Sequence, residues 1–348
     1  MIIAICGFGA SGASAVIDFL KGYKDLQLVP FEFQLLHQAD GISDLKYHLT
    51  ESRERVTCNA AIKRFKRLMF KSGVGRNIQK IVGSNYKQIV DDYLDAITLA
   101  EWKGRSSYDP VDISDRSTIP FIFFMQRAVT YLLRKINPAW CVPGYRTRYF
   151  SILDVDYFDK VTIDFLNRLF TEAGYDLKDN LVLDMLLSAT NPTQGMEFFS
   201  DIKAIVVVRD PRDIYIRSRI QVFLNAFMPQ SSVEDYCTFF RAIREKAKFD
   251  ENTICIKYED LIYKYKETTE KIMAFLGYDR RPENEFMYFN PNVSVKYTNL
   301  SGKYPEREKE IQYIEKNLEE YLYPFGQYTP IEVPEQVAKE YKGFYQKK

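Results

Sequence analysis

Met1-Ile-Ile-Ala-Ile-Cys-Gly-Phe-Gly-Ala-Ser-Gly-Ala-Ser14 opens the chain, and its reading decides the fold. The first six residues are a continuous apolar run bounded by glycine, the pattern of a strand buried on both faces of a parallel sheet. Gly7, Gly9 and Gly12 let the backbone take positive φ and approach a ligand closely, while Ser11 and Ser14 add hydroxyl donors. From Ala13 to Tyr23 apolar residues recur at Val16, Ile17, Phe19 and Leu20. A helix is therefore expected to begin inside the loop, with its free amides facing a phosphate. Gly7 to Ser14 has the eight-residue spacing of a nucleotide-triphosphatase loop, but Ala13 stands where the lysine that reaches the outer phosphates belongs. That substitution argues against ATP hydrolysis.

A second run, Lys203-Ala-Ile-Val-Val-Val-Arg-Asp-Pro-Arg-Asp213, reads as another strand, this one ending in guanidinium groups. A phosphate-cradling loop and an arginine cluster together describe a ligand with phosphate at both ends. The two runs resemble those of sulfotransferases that use 3′-phosphoadenosine 5′-phosphosulfate. In that family a basic residue followed by Ser-Gly-Thr/Ser holds the 5′-phosphosulfate. Ser11-Gly12-Ala13-Ser14 is similar to its small-residue part, and Ala10 occupies the basic position. The resemblance implies donor binding by Gly9, Ala10, Ser11, Gly12, Ala13 and Ser14, with a cation supplied from elsewhere. It implies that Arg209 binds the 3′-phosphate. The serine that assists it in the family falls on Arg217 by count, with Ser218 one residue late, so either residue can fill that role. Thr253 to Leu261 and Phe275-Leu-Gly277 resemble the family's penultimate strand and helix, and the likeness spans about residues 1–35 and 180–325. Lys296 and Lys303 lie in a stretch similar to the late loop that closes over the donor.

In several sulfotransferases a glutamate after the loop helix removes the acceptor's proton, and others use histidine. Leu26 to Phe33 reads as the corresponding strand, with Glu32 between Phe31 and Phe33. Apolar surroundings are expected to raise its pKa toward that of a general base. The same spacing fits the exposed residue of an alternating strand. His37, one of two histidines, is the second candidate, set against the plain reading of a histidine on a helix face. Asp184 ends an apolar strand and looks superficially like a metal-binding acid, although strand ends often carry such a turn residue.

A net charge of +1 over 348 residues excludes a general nucleic-acid footprint. Five scattered cysteines, at 6, 58, 141, 237 and 255, without a Cys-x-x-Cys pair fit a reducing cytoplasm, and with two histidines they offer no metal cluster. No leader or membrane span is expected. The α/β signals concentrate in residues 1–35 and 180–280, whereas 60–71, 86–103, 120–136 and 157–173 are helical in pattern. The expected architecture is one α/β domain over 1–348, a P-loop-like central parallel sheet with flanking helices. An inserted helical lobe, about 50–175, is expected to act as its lid.

Within the lobe, no acidic residue occurs from Arg55 to Val90. Lys63, Arg64, Lys66, Arg67 and Lys71 oppose a stripe of Ala61, Ile62, Phe65, Leu68 and Met69. This is the pattern of a solvated helix face. It also suits attraction of an anionic acceptor or peripheral contact of segment 55–87 with a membrane. Arg146 and Arg148 are candidates for the missing loop cation, and the tail after Pro334 is expected to fray. The resulting expectation is a metal-independent sulfotransferase acting on a hydroxyl of a glycan or lipid-linked sugar. A divergent magnesium-dependent nucleotide kinase and a degenerate nucleotide-binding module are the alternatives.

Overall fold

The computed structural model describes residues 1–104, 119–140, 146–221, 224, 226–279, 282 and 285–333. The chain divides into two compact units, Met1–Gln34 with Tyr175 onward, and Leu35–Gly174. The first unit begins with strand β1 (Ile2–Gly7), helix α1 (Ala13–Leu20) and strand β2 (Leu26–Glu32).

The second unit follows in α2 (Ile42–Lys46), α3 (Arg55–Lys71), α4 (Gly73–Val82), α5 (Tyr86–Ala96), β3 (Ala100–Gly104), α6 (Ile119–Ile136), β4 (Arg146–Phe150) and α7 (Val155–Glu172). Glu54 caps α3, its Oε2 accepting from the Val56 and Thr57 amides at 2.6 and 3.2 Å. The expected stripe from Ala61 to Met69 is buried. Helix α5 is shorter than its sequence pattern. It stops at Ala96, Thr98 Oγ1 donates back to the Leu94 carbonyl at 2.7 Å, and Ala100–Gly104 instead pairs antiparallel with Arg146–Phe150. No helix among the described residues is long and apolar enough to cross a membrane.

The first unit resumes with β5 (Asn180–Asp184), β6 (Ile202–Val208), α8 (Pro211–Ile220), α9 (Val233–Glu245), β7 (Thr253–Lys257), α10 (Asp260–Tyr263), α11 (Tyr265–Leu276), α12 (Pro291–Ser294) and α13 (Glu308–Asn317). Its sheet has the order β2-β5-β1-β6-β7, with every pair parallel. All six residues of β1 are buried, as a central strand covered on both faces requires. Ile3 and Ile5 pack with Val16, Leu20, Ile272 and Met273 in one core cluster. A second cluster joins α8, α9 and α13 through Ile214, Tyr236, Phe240 and Ile314. Each such side chain contributes roughly 1.5–3 kcal/mol through burial. Among the described residues strand β2 pairs only with β5, and its register shifts between Leu28 and Glu32, where Pro30 has no amide to give the ladder.

Strands β5 and β6 are successive among the sheet's strands yet lie on opposite sides of β1. That is a topological switch point, and open α/β sheets bind ligands there, outside the carboxyl ends of the strands. Gly7, Glu32, Asp184, Val208 and Lys257 end the five strands at this edge.

Candidate functional site

The loop after β1 is a tight turn, closed by the Ser11 amide donating to the Phe8 carbonyl at 2.9 Å. Ala10 is held at φ 63°, a strained value for a residue with a Cβ. Gly12 has φ 90° and starts α1, and a Cβ there would collide with the ring of Tyr258. The first turn of α1 carries no acidic residue, and no side chain among the described residues caps it. Its leading amides are thus available to an anion. Ser11 is buried, and its Oγ has no hydrogen-bond partner among the described residues.

Arg209 follows β6 directly and reaches this loop. Its Nη1 donates to the Ala10 carbonyl at 3.1 Å, its Nη2 donates to the Tyr297 carbonyl, and its guanidinium lies 4.7 Å from the Tyr258 ring centroid. Two turns into α8, Arg217 sits over the ring of the same Tyr297, at 5.0 Å. Burial, followed by the like charge of Arg209, lowers the Arg217 pKa. The Nε atoms of both arginines are buried and lack partners among the described residues. Two adjacent cations with spare donors form a site for a multiply charged anion.

Ser218 is turned away from this pair: it is fully buried, and its Oγ donates to the Tyr215 carbonyl at 2.7 Å. The 3.6-residue period accounts for the difference, because a one-residue step turns a side chain by about 100°. Of the two residues left open by counting, Arg217 is the one beside Arg209.

Asp-Pro-Arg-Asp213 braces the arginines. Asp210 caps α8, accepting from the Arg212 amide at 2.8 Å, and also accepts from Arg212 Nη2 and the Tyr323 amide, both at 2.7 Å. Asp213 accepts from the amides of Asn299 and Leu300 at 3.0 and 2.8 Å, and burial raises its carboxyl to about 6. It thereby ties the 295–303 loop to α8. Lys303 Nζ donates to the Lys296 carbonyl at 3.1 Å, while both lysine side chains are exposed and Lys296 lies 5.0 Å from the Tyr297 ring centroid. Lys303 braces its own loop.

The expected apolar surroundings of Glu32 are not found. Alternation along β2 sends Phe31 and Phe33 to one face, where their rings stack at 6.2 Å, and leaves Glu32 exposed and accepting from Gln34 Nε2 at 2.6 Å. The sheltered carboxyl is its register partner on β5, Asp184. Burial, reinforced by the negative charge of Glu32, raises Asp184 to about 7. Its Oδ1 is buried without a hydrogen-bond partner among the described residues. His37 lies in a turn, not on a helix, and belongs to the second unit with Arg146 and Arg148, which sit on the β3–β4 ribbon.

Residues 165–282 match the model of a family described as the sulfotransferase family. Over that segment the chain is similar to the sulfotransferase family. The match takes in Arg209, Arg217, Tyr258 and Asp184 and leaves out the glycine-rich loop, whose role rests on its geometry. Two solved structures are similar. The sulfotransferase domain from the curacin biosynthetic pathway is 14% identical, with 81% of this chain and 75% of that one covered at a TM-score of 0.37. The sulfotransferase domain from the Synechococcus PCC 7002 olefin synthase is 14% identical, with 86% of each chain covered at a TM-score of 0.35. No curated protein matches the chain.

Sequence reasoning gave no role to Tyr258 or Asp213. Asp213 was within reach, because Asp210, Pro211 and Asp213 are the cap, first-turn proline and first-turn acid of a helix start. Tyr258 was not, since it acts by packing against Gly12, 246 positions earlier by residue number.

Proposed function

We propose that the chain transfers a sulfuryl group from 3′-phosphoadenosine 5′-phosphosulfate to a hydroxyl of a carbohydrate or glycolipid. One observation supports this most: Arg209 bonds to the carbonyl of Ala10 while standing beside Arg217, so one side chain joins an anion-ready loop to an arginine pair. This donor set suits a ligand with an anionic group at each end. Ser11 and the leading amides of α1 would hold its 5′ end, and Arg209 and Arg217 its 3′-phosphate. When bound, the donor supplies the sulfuryl group and a bisphosphate leaving group.

In this scheme Glu32 accepts the proton of the attacking hydroxyl. Burial keeps the proton on Asp184 up to about pH 7, so Asp184 does not compete for that role. The loop amides and Arg209 offset charge developing on the leaving oxygen. No step calls for a metal. Arg209 also fills the place of the cation absent at Ala10.

An anionic acceptor is supported by Lys66 and Lys71 on α3, whereas Arg64 is paired with Asp40 and Asp44 at 2.7 and 3.0 Å. If these lysines attract acceptor, reversing the charge of Lys66 and Lys71 raises acceptor KM at low salt and not at high salt.

Calorimetry with adenosine 3′,5′-bisphosphate, in parallel with ATP and magnesium, tests the donor. Selective binding of the bisphosphate that is lost in Arg209→Ala supports the proposal. A preference for ATP would replace it with a kinase, and binding of neither would leave a degenerate module.

A further inference from the structure

A separate cavity of about 220 Å³ lies between the ends of β6 and β7 and helix α9. Its walls include Phe8, Phe240 and Tyr321; Arg209, Arg244 and Lys257 supply cations and Asp210, Glu259 and Glu320 carboxyl groups, with Asp210 paired to Arg212 and Glu320 to Arg241. The guanidinium of Arg244 is sandwiched against Phe8 and Phe240, at 4.0 and 5.0 Å from their ring centroids. Its Nε and Nη2 are buried and have no hydrogen-bond partner among the described residues, and the same holds for Oε2 of Glu259. Burying a charged group without a counter-ion is costly, and a polar atom left unpaired inside a protein marks a place for a missing partner.

The two orphans do not satisfy one another, and both are donors at neutral pH. Burial lowers Arg244 only to about 10, so it remains a cation. Burial raises Glu259 to about 8, so its carboxyl keeps a proton; its Oε1 is already committed to the Asp210 amide at 2.9 Å. Unpaired donors beside the rings of Phe8, Phe240 and Tyr321 suit a ligand that accepts hydrogen bonds and carries a flat apolar body. The volume falls below the range of drug-sized sites and holds about one ring.

From this geometry we infer that the cavity beside Phe8 is a second ligand site, for a small aryl monoanion whose acidic head pairs with Arg244 and whose ring lies among Phe8, Phe240 and Tyr321. The site does not depend on the donor proposal. It shares Arg209 and Phe8 with the loop region while drawing its selectivity from residues the proposed sulfuryl transfer does not use.

Benzoate is the probe, titrated calorimetrically into the full chain at pH 7. Saturable binding is expected, with at least a tenfold loss in Arg244→Leu, a change that replaces an unpaired buried charge by an apolar group and leaves thermal stability equal or higher. Ala247→Phe fills the cavity, keeps the cation and should also abolish binding, which covers the case in which Arg244→Leu misfolds. Glu259→Gln keeps a neutral donor and should retain the affinity. Arg217→Ala should leave benzoate binding unchanged. Absence of saturable binding to the wild type, or equal binding to Arg244→Leu and Ala247→Phe, overturns the inference. Loss in Arg217→Ala alone overturns it as well, by moving the ligand to the arginine pair.

Discussion

The carboxyl ends of β6 and β7 and those of β2 and β5 lie along one edge of one sheet, yet they are built in opposite ways. On the β6 side the charges of the Arg-Asp-Pro-Arg-Asp run directly after the strand are held. Arg209 donates to two carbonyls, Asp210 accepts from Arg212 and Tyr323, and Asp213 accepts from two successive amides. On the β5 side Glu32 has the amide of Gln34, and Asp184 Oδ1 has no partner among the described residues. A braced cation presents its spare donors without reorganising, which favours binding. Burial and the neighbouring Glu32 charge instead raise the proton affinity of Asp184, the kind of perturbation that marks candidate sites of proton transfer. In the proposed scheme the difference separates an edge that grips from an edge that reacts.

The sharpest way to break this comparison is Glu32→Gln. Loss of a general base costs about 10²–10⁴ in rate, so kcat should fall by that order while calorimetric affinity for the bisphosphate stays within twofold. An active variant removes Glu32 from the chemistry; a variant that loses the bisphosphate places it on the gripping side. Next in size is Arg209→Ala. Two charge-assisted hydrogen bonds at about 1.5–3 kcal/mol each predict roughly a 100-fold or greater loss of bisphosphate affinity. Arg209→Lys should recover only part of it, because an ammonium cannot reproduce the fork.

Arg217 and Ser218 sharpen the same edge at lower cost. Arg217→Ala should weaken the bisphosphate about tenfold, the effect of one partly screened contact. Ser218→Ala should change it less than about twofold, since that hydroxyl is engaged with the Tyr215 carbonyl. Calorimetry on the two variants reads both. A reversed order would restore the serine as the ligand.

The strands that carry the edge were legible in the sequence, and the surroundings of Glu32 were not. Strands β1 and β6 announce themselves as unbroken apolar runs because both faces are covered, and Gly7 and Asp210-Pro211 mark where they stop. Arg209 is legible by position alone, since a residue directly after a buried central strand must emerge at the sheet's carboxyl edge. Glu32 shows the limit. Its neighbours in sequence are aromatic, yet a strand sends neighbours to the opposite face, and what shelters a carboxyl here is the partner strand β5. The β3–β4 ribbon was hidden for a related reason: Ala100-Glu-Trp-Lys-Gly104 has little β-branched character, and its strand state depends on pairing with Arg146–Phe150. Arg244 and Glu259 read as ordinary charged positions, and only packing reveals that their polar atoms are orphaned.

The smallest expected effect tests whether Asp184 holds its proton. Its folded-state pKa of about 7 stands above the ordinary 3.8. Between those values the folded chain retains a proton that the unfolded chain has released, so the contribution of Asp184 to stability falls as pH rises from about 4 to about 7 and is flat beyond. Asp184→Asn, which cannot ionise, should therefore raise the melting temperature at pH 8 by several degrees and should not raise it at pH 4. In turnover, ionisation of Asp184 places a second negative charge beside Glu32 and opposes an anionic donor. The proposed pair thus predicts a decline of kcat/KM above about pH 7 that the asparagine variant lacks. Equal melting shifts at both pH values would mean that Asp184 is ionised throughout. The reacting edge would then be as firmly fixed in charge as the gripping one.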